Sequence, residues 1–202
     1  MSISSQSDVD RLGTSIKTTK ISFYDHSSKL VLISVCWFLA CIPLITIGPA
    51  TVGAYAGVAG VLDEQRFDYR QALRIARKQF VPSLVLGVFP AMFAVGALTF
   101  TLEFFSTESP RAAILAVGSL YAAAFSVLVL IPTFVWLSRD VWVGTAIKRG
   151  YLWVVSHPTL ALTTGIVTLV VFLVTVALTI GFVLLFGAIA FTFHLLVIPE
   201  RD

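Results

Sequence analysis

Charge is scarce in this sequence: Lys and Arg number 14 and Asp and Glu 11 in 202 residues, or 12%. A soluble domain carries about twice that share, so a soluble globular chain and a disordered one are both excluded. Cysteine is scarcer still. Cys36 and Cys41 are too few for a disulfide-stapled secreted domain. Five residues apart, about 140° round a helix, they cannot share a metal ion, and they read as buried thiols. The chain also lacks a G-x-S-x-G or P-loop setting for its many hydroxyl residues. His157 and His194 have no carboxylate companions with which to form a catalytic metal site. No enzyme is legible here and no cofactor is implied.

Apolar surface is plentiful, with 57% hydrophobic residues and a mean hydropathy of +0.93. Four stretches, 30–62, 79–102, 112–138 and 150–199, contain no Asp, Glu, Lys or Arg and together hold 134 of the 202 residues. A bilayer core takes about 20 helical residues. The second and third stretches each fit one helix. The fourth is too long for one and is expected to fold back at Thr179-Ile180-Gly181. The first is broken by Pro43 and by Gly48-Pro49, residue types that close one helix and start the next. It reads as a hairpin turning at 44–49.

The expected fold is therefore all-α: a polytopic helical membrane bundle of about six transmembrane helices, near 30–47, 50–65, 80–103, 111–137, 159–177 and 181–198. Two short amphipathic interfacial helices, near 68–79 and 139–156, complete a single domain over 30–198. The polar segment 1–29 and residues 199–202 are expected as cytoplasmic tails. Ala54-Tyr55-Ala56 imitates a signal-cleavage site, but Asp8 and Asp10 make a poor leader start. With six spans, 13 of the 14 basic residues fall on the inner side and Arg111 alone outside. One crossing at 30–62 gives 9 to 5 at best. The positive-inside pattern favours six and places the protein in the cell membrane with both termini cytoplasmic. The basic balance is topological and does not point to nucleic acid.

Several features stand out within that frame. Arg66, Arg70, Arg74 and Arg77, with Lys78 beside them, form one stripe of an amphipathic helix whose apolar arc is Tyr69, Ala72, Leu73, Ala76 and Phe80. Anionic lipid headgroups are the preferred partner for that stripe, and an acidic protein partner is the alternative. Segment 139–157 repeats the layout with Trp142, Trp153, Lys148 and Arg149, and its tryptophans resemble an interfacial belt. The two hairpins 50–102 and 111–178 form a weak parallel repeat. Gly53, Gly57 and Gly60 make a small-residue face suited to close helix packing, within the bundle first and between copies second.

The turn holding Pro43, Thr46, Gly48 and Pro49 is flanked by helices of about 21 and 24 Å, short of a full crossing. Either the turn sits at membrane depth, as broken helices do in transporters, or the first helix begins earlier, near Ile21, and the turn reaches the outer headgroups. The second reading is preferred. No acidic or basic residue falls in mid-span, so the marks of a proton relay, an ion path or a voltage sensor are missing.

Ser34-Val35-Cys36-Trp37, then Pro43, Thr46-Ile47-Gly48-Pro49-Ala50-Thr51 and Ala54-Tyr55 resemble the signature of the YesL-like family, small polytopic membrane proteins of unknown biochemical function. The match covers about 25 residues well; beyond it, the order of segments and the stretches "QFVPSLVLG" and "HPTLAL" follow the family layout. Ser34 stands where the family usually has Asn, which implies a shorter, weaker interhelical bond. The resemblance implies a membrane protein encoded near carbohydrate uptake genes, hence an accessory to a sugar transporter, and it transfers no catalytic or binding residue. The expected function is a non-enzymatic accessory or scaffold component, possible partner a transporter complex. The alternative is a small transporter or channel with its site at the broken first hairpin.

Overall fold

Proline punctuates this fold. The structure, a computed structural model, describes residues 3–43, 46–64, 69–177 and 186–198. The first proline in the chain is Pro43, and α1 runs unbroken ahead of it from Ile3 to Cys41. The polar segment expected as a tail is thus helical. After the turn come α2 (Ile47–Glu64) and α3 (Tyr69–Lys78).

The next helix, α4 (Phe80–Thr107), follows α3 almost without interruption. Gln79 N–H donates to Ile75 O and Ser83 N–H to Gln79 O, at 2.9 and 3.0 Å. Pro82 has no N–H for the carbonyl of Lys78, which explains a break at this point. At the far end, Glu108 adopts the left-handed conformation (φ 52°) and its N–H closes α4 on Phe104 O at 2.8 Å. Ser109 is extended, as a residue before proline must be, and Pro110 starts α5 (Pro110–Ser138). Next come α6 (Val143–Ser156), α7 (Pro158–Ala177), begun by another proline, and α8 (Gly187–Val197).

The buried core gathers at one end of the α4–α5 hairpin. Val52, Tyr55, Val58 and Val61 of α2 are buried together with Leu30 and Ile33 of α1, Phe191 and Leu195 of α8, and Val135 and Leu137 of α5. On α5 every residue from Pro132 to Ser138 is buried, whereas towards the turn only Ala112 and Ala123 are. On α4 only Ser83 and Ala97 are buried. Phe89, Val95, Leu98, Phe105, Val117 and Leu120 face outward. A hairpin so apolar on its outside requires lipid around it.

Among the described residues, three helices are long and apolar enough to cross a membrane: α4, α5 and α7. The expected count of six is corrected to about three. The apolar segments Ser28–Cys41, Ile47–Leu62 and Gly187–Val197 each have 10–17 residues, short of a full crossing. The expected turn at 179–181, the first part of the 181–198 span, Arg66 and residues 199–202 lie outside the described residues.

The placement of the first turn is corrected as well. A Cβ on Gly48 would collide with the carbonyl of Ser83, so the start of α2 lies against the start of α4, at the end where Lys78 pairs with Asp140. Six crossings would set that turn and the start of α4 on opposite membrane faces. Charge counting could not expose the difference. A hairpin that enters and returns leaves residues 1–29 and 66–78 on the same side as two full crossings would.

Candidate functional site

Three side-chain arrangements converge on the buried end. The first is the turn itself. Thr46 Oγ1 bonds the carbonyls of Ala40 and Pro43, the latter at 2.7 Å, and its N–H also meets Pro43 O at 2.7 Å. Gly48 and Pro49 are buried. Trp37 Nε1 donates across the hairpin to Thr51 Oγ1 at 3.1 Å, and Thr51 donates in turn to Ile47 O at 2.6 Å. Ser34, fully buried, accepts the backbone N–H of Gly187 at 3.1 Å. The short side chain at position 34 therefore does make an interhelical bond, to the backbone at the start of α8.

The second is a chain of polar groups inside the bundle. Tyr55 Oη lies 2.5 Å from His194 Nδ1, and Thr168 Oγ1 lies 2.7 Å from Nε2. Thr168 commits its single hydroxyl hydrogen to Thr164 O at 2.7 Å, so it accepts from Nε2–H. That leaves Nδ1 bare to accept the phenol hydrogen. The imidazole is neutral in this arrangement, with both nitrogens engaged, and it ties α2, α7 and α8 together. Thr164 Oγ1, one turn away, is buried without a hydrogen-bond partner. Nothing adjacent in sequence announces this chain; the only hint is that His194 is one of two imidazoles inside a 50-residue uncharged run.

The third is basic. On α3, Arg70, Arg74, Arg77 and Lys78 are exposed, while Ile75 is buried. Lys78 Nζ meets Asp140 at 2.7 Å, and Asp140 holds a left-handed φ of 60° at the α5–α6 junction. The guanidinium carbons of Arg139 and Arg149 lie 5.0 and 4.7 Å from the centre of the Trp136 ring, within cation–π range. Trp153 stacks on His157 at 6.2 Å.

Between α1, α2 and α3 lies an open apolar groove of about 330 Å³, lined by Ile33, Trp37, Ala54, Tyr69 and Leu73 among others. Cys36 also lines it and is exposed, which corrects the reading of that thiol as buried; Cys41 is half-buried. Gly53 packs against Ala76, whose Cβ would be 3.0 Å from a Cβ at position 53. Gly57 is buried and Gly60 half-buried on the same helix. Among the described residues, no group of three or more His, Cys, Asp or Glu side chains comes together.

No protein-family model matches the chain, no curated protein matches it, and no solved structure does.

Proposed function

We propose that the chain is a non-enzymatic integral membrane component, an accessory or scaffold that presents a basic surface at the cytoplasmic face of the cell membrane. The observation that carries this reading is the polarity of the α4–α5 hairpin. Its shaft is apolar on the outside, and its buried end carries Arg70, Arg74, Arg77, Lys78, Lys148 and Arg149, against Arg111 at the far turn. Positive charge belongs on the cytoplasmic side. The resemblance of residues 34–55 adds a carbohydrate uptake system as the partner to look for.

A solute pathway through the first hairpin has less in its favour, because the groove there is lined by apolar side chains and the turn is seated on Ser83. The test is affinity capture from native membranes in mild detergent. A stable partner should be recovered with the intact chain and lost when Arg74→Glu and Arg77→Glu are combined, with membrane insertion unchanged. Recovery only as an unpartnered monomer would overturn the reading.

A further inference from the structure

Two hydrogen bonds tie α1 to α8, and their spacing on the two helices does not match. Ser34 Oγ accepts the N–H of Gly187 at 3.1 Å, and Ser15 Oγ donates to the carbonyl of Leu196 at 3.5 Å. From Ser15 to Ser34 a straight helix rises about 28 Å, whereas from Gly187 to Leu196 it rises about 14 Å. Each bond must also bridge two packed helices, about 8–10 Å from axis to axis, so neither has length to spare along the axis. A straight α1 cannot make both. The helix therefore bends between Ser15 and Ser34 while remaining helical throughout. One cause is local. Thr19 Oγ1 donates to Ser15 O at 2.7 Å, and a threonine bonded back to the carbonyl four residues earlier bends a helix.

The bend divides α1 by how each half is held. Towards the first turn, Leu30 and Ile33 belong to the apolar core. In the other half, among the described side chains, only Ser15 and Thr19 are buried, and Gly13, Thr14 and Lys17 are exposed. Aliphatic burial holds a helix more firmly than a hydroxyl on a carbonyl, which water can replace. The partner of this weakly held half is the last turn of α8, where Val197 is buried. Arg139 reaches the same end of α8, its Nη2 donating to Ile198 O at 3.5 Å.

We infer that the N-terminal half of α1, from Ile3 to the bend, is a strap that closes reversibly over the last turn of α8. Closed, it covers that turn. Open, it bares an apolar helix end beside Arg139 and the Trp136 ring on which that guanidinium lies. The inference concerns the chain by itself and not its role as an accessory, so failure to recover a protein partner does not touch it.

The test uses the full chain in mild detergent, with Cys36 and Cys41 replaced by serine and one cysteine added at a time. Reaction with a water-soluble maleimide is followed by mass spectrometry. Gly13→Cys, at an exposed position, should react fast. Ser15→Cys and Val197→Cys should react slower by about tenfold or more, the protection given by a local closing equilibrium. Val58→Cys, in the fully buried core of α2, should not react. Thr19→Glu sets a carboxylate on the buried face of the strap. It should bring Ser15→Cys and Val197→Cys to the Gly13→Cys rate and leave Val58→Cys unreactive. Equal rates for Ser15→Cys and Gly13→Cys without Thr19→Glu overturn the proposal, as does a Thr19→Glu change without effect. So does release of Ser15→Cys while Val197→Cys stays protected, since the strap would then cover nothing. Release of Val58→Cys together with the others overturns it too, because the contact would then belong to the global fold.

Discussion

Tyr55 donates its phenolic hydrogen to Nδ1 of His194 across 2.5 Å, joining the middle of α2 to the last turns of α8. Both side chains are almost wholly buried, at 2% and 3% exposure, so the bond has no water to replace it. Tyr55→Phe should lower stability by about 1 kcal/mol, the scale of a buried hydrogen bond inside a membrane bundle. Thr168→Val should cost a similar amount. Because the three residues form one chain of bonds, each change combined with His194→Ala should cost less than the sum of the separate effects. Denaturant titration of the micellar protein measures all three, and strict additivity would refute the coupling.

Gly48→Ala should destabilise the protein by about 1–3 kcal/mol, because the added methyl meets backbone at Ser83 and not a side chain that can swing away. Gly87→Ala is the matched control. Nothing lies within 4 Å of a Cβ there, and alanine is the better helix former by about 1 kcal/mol. Thermal unfolding should move in opposite directions for the two.

A cysteine placed at Thr46, with Cys36 and Cys41 replaced by serine, should react with an impermeant thiol reagent from the same side of the membrane as a cysteine at Asp140. A cysteine at Glu108 should react from the other side. Labelling of Thr46 from the Glu108 side would restore a turn on the opposite face.

Glu108→Gly should raise thermal stability, since Glu108 holds a φ of 52° that glycine adopts without steric penalty; the gain should be about 0.5–1 kcal/mol. Lys78→Met should change stability by less than about 1 kcal/mol. The Lys78–Asp140 pair is solvent-accessible on both sides, with side chains 61% and 47% exposed, and exposed pairs contribute little.

The long uncharged runs were enough to read α-helices and a membrane from the sequence, because a segment such as 112–138 has no other way to satisfy its backbone and its apolar side chains at once. The number of crossings was not legible in the same way. Hydropathy marks the first run as apolar and Pro43 marks its break, but neither reports how deep the two halves go. That depends on Gly48 meeting Ser83, a contact between segments that share no local pattern. Cys36 misled for a related reason: a thiol in an apolar run reads as core, and only the packing of α3 on α2, with α1 alongside, leaves an open groove beside it. His194 was visible only as one of two imidazoles in the run 150–199, and its partners Tyr55 and Thr168 are brought to it from α2 and α7 by the fold.

The seat of Gly48 carries a consequence for biosynthesis. Its surface is made by Ser83, about 35 residues further along, roughly 2–7 s later at ordinary rates of chain elongation. During that interval the nascent α2 has its glycine end bare, and it can be docked only after the start of α4 has left the ribosome. Slowed translation between the two positions, or loss of an insertion chaperone, should therefore injure the first hairpin before any other part of the molecule.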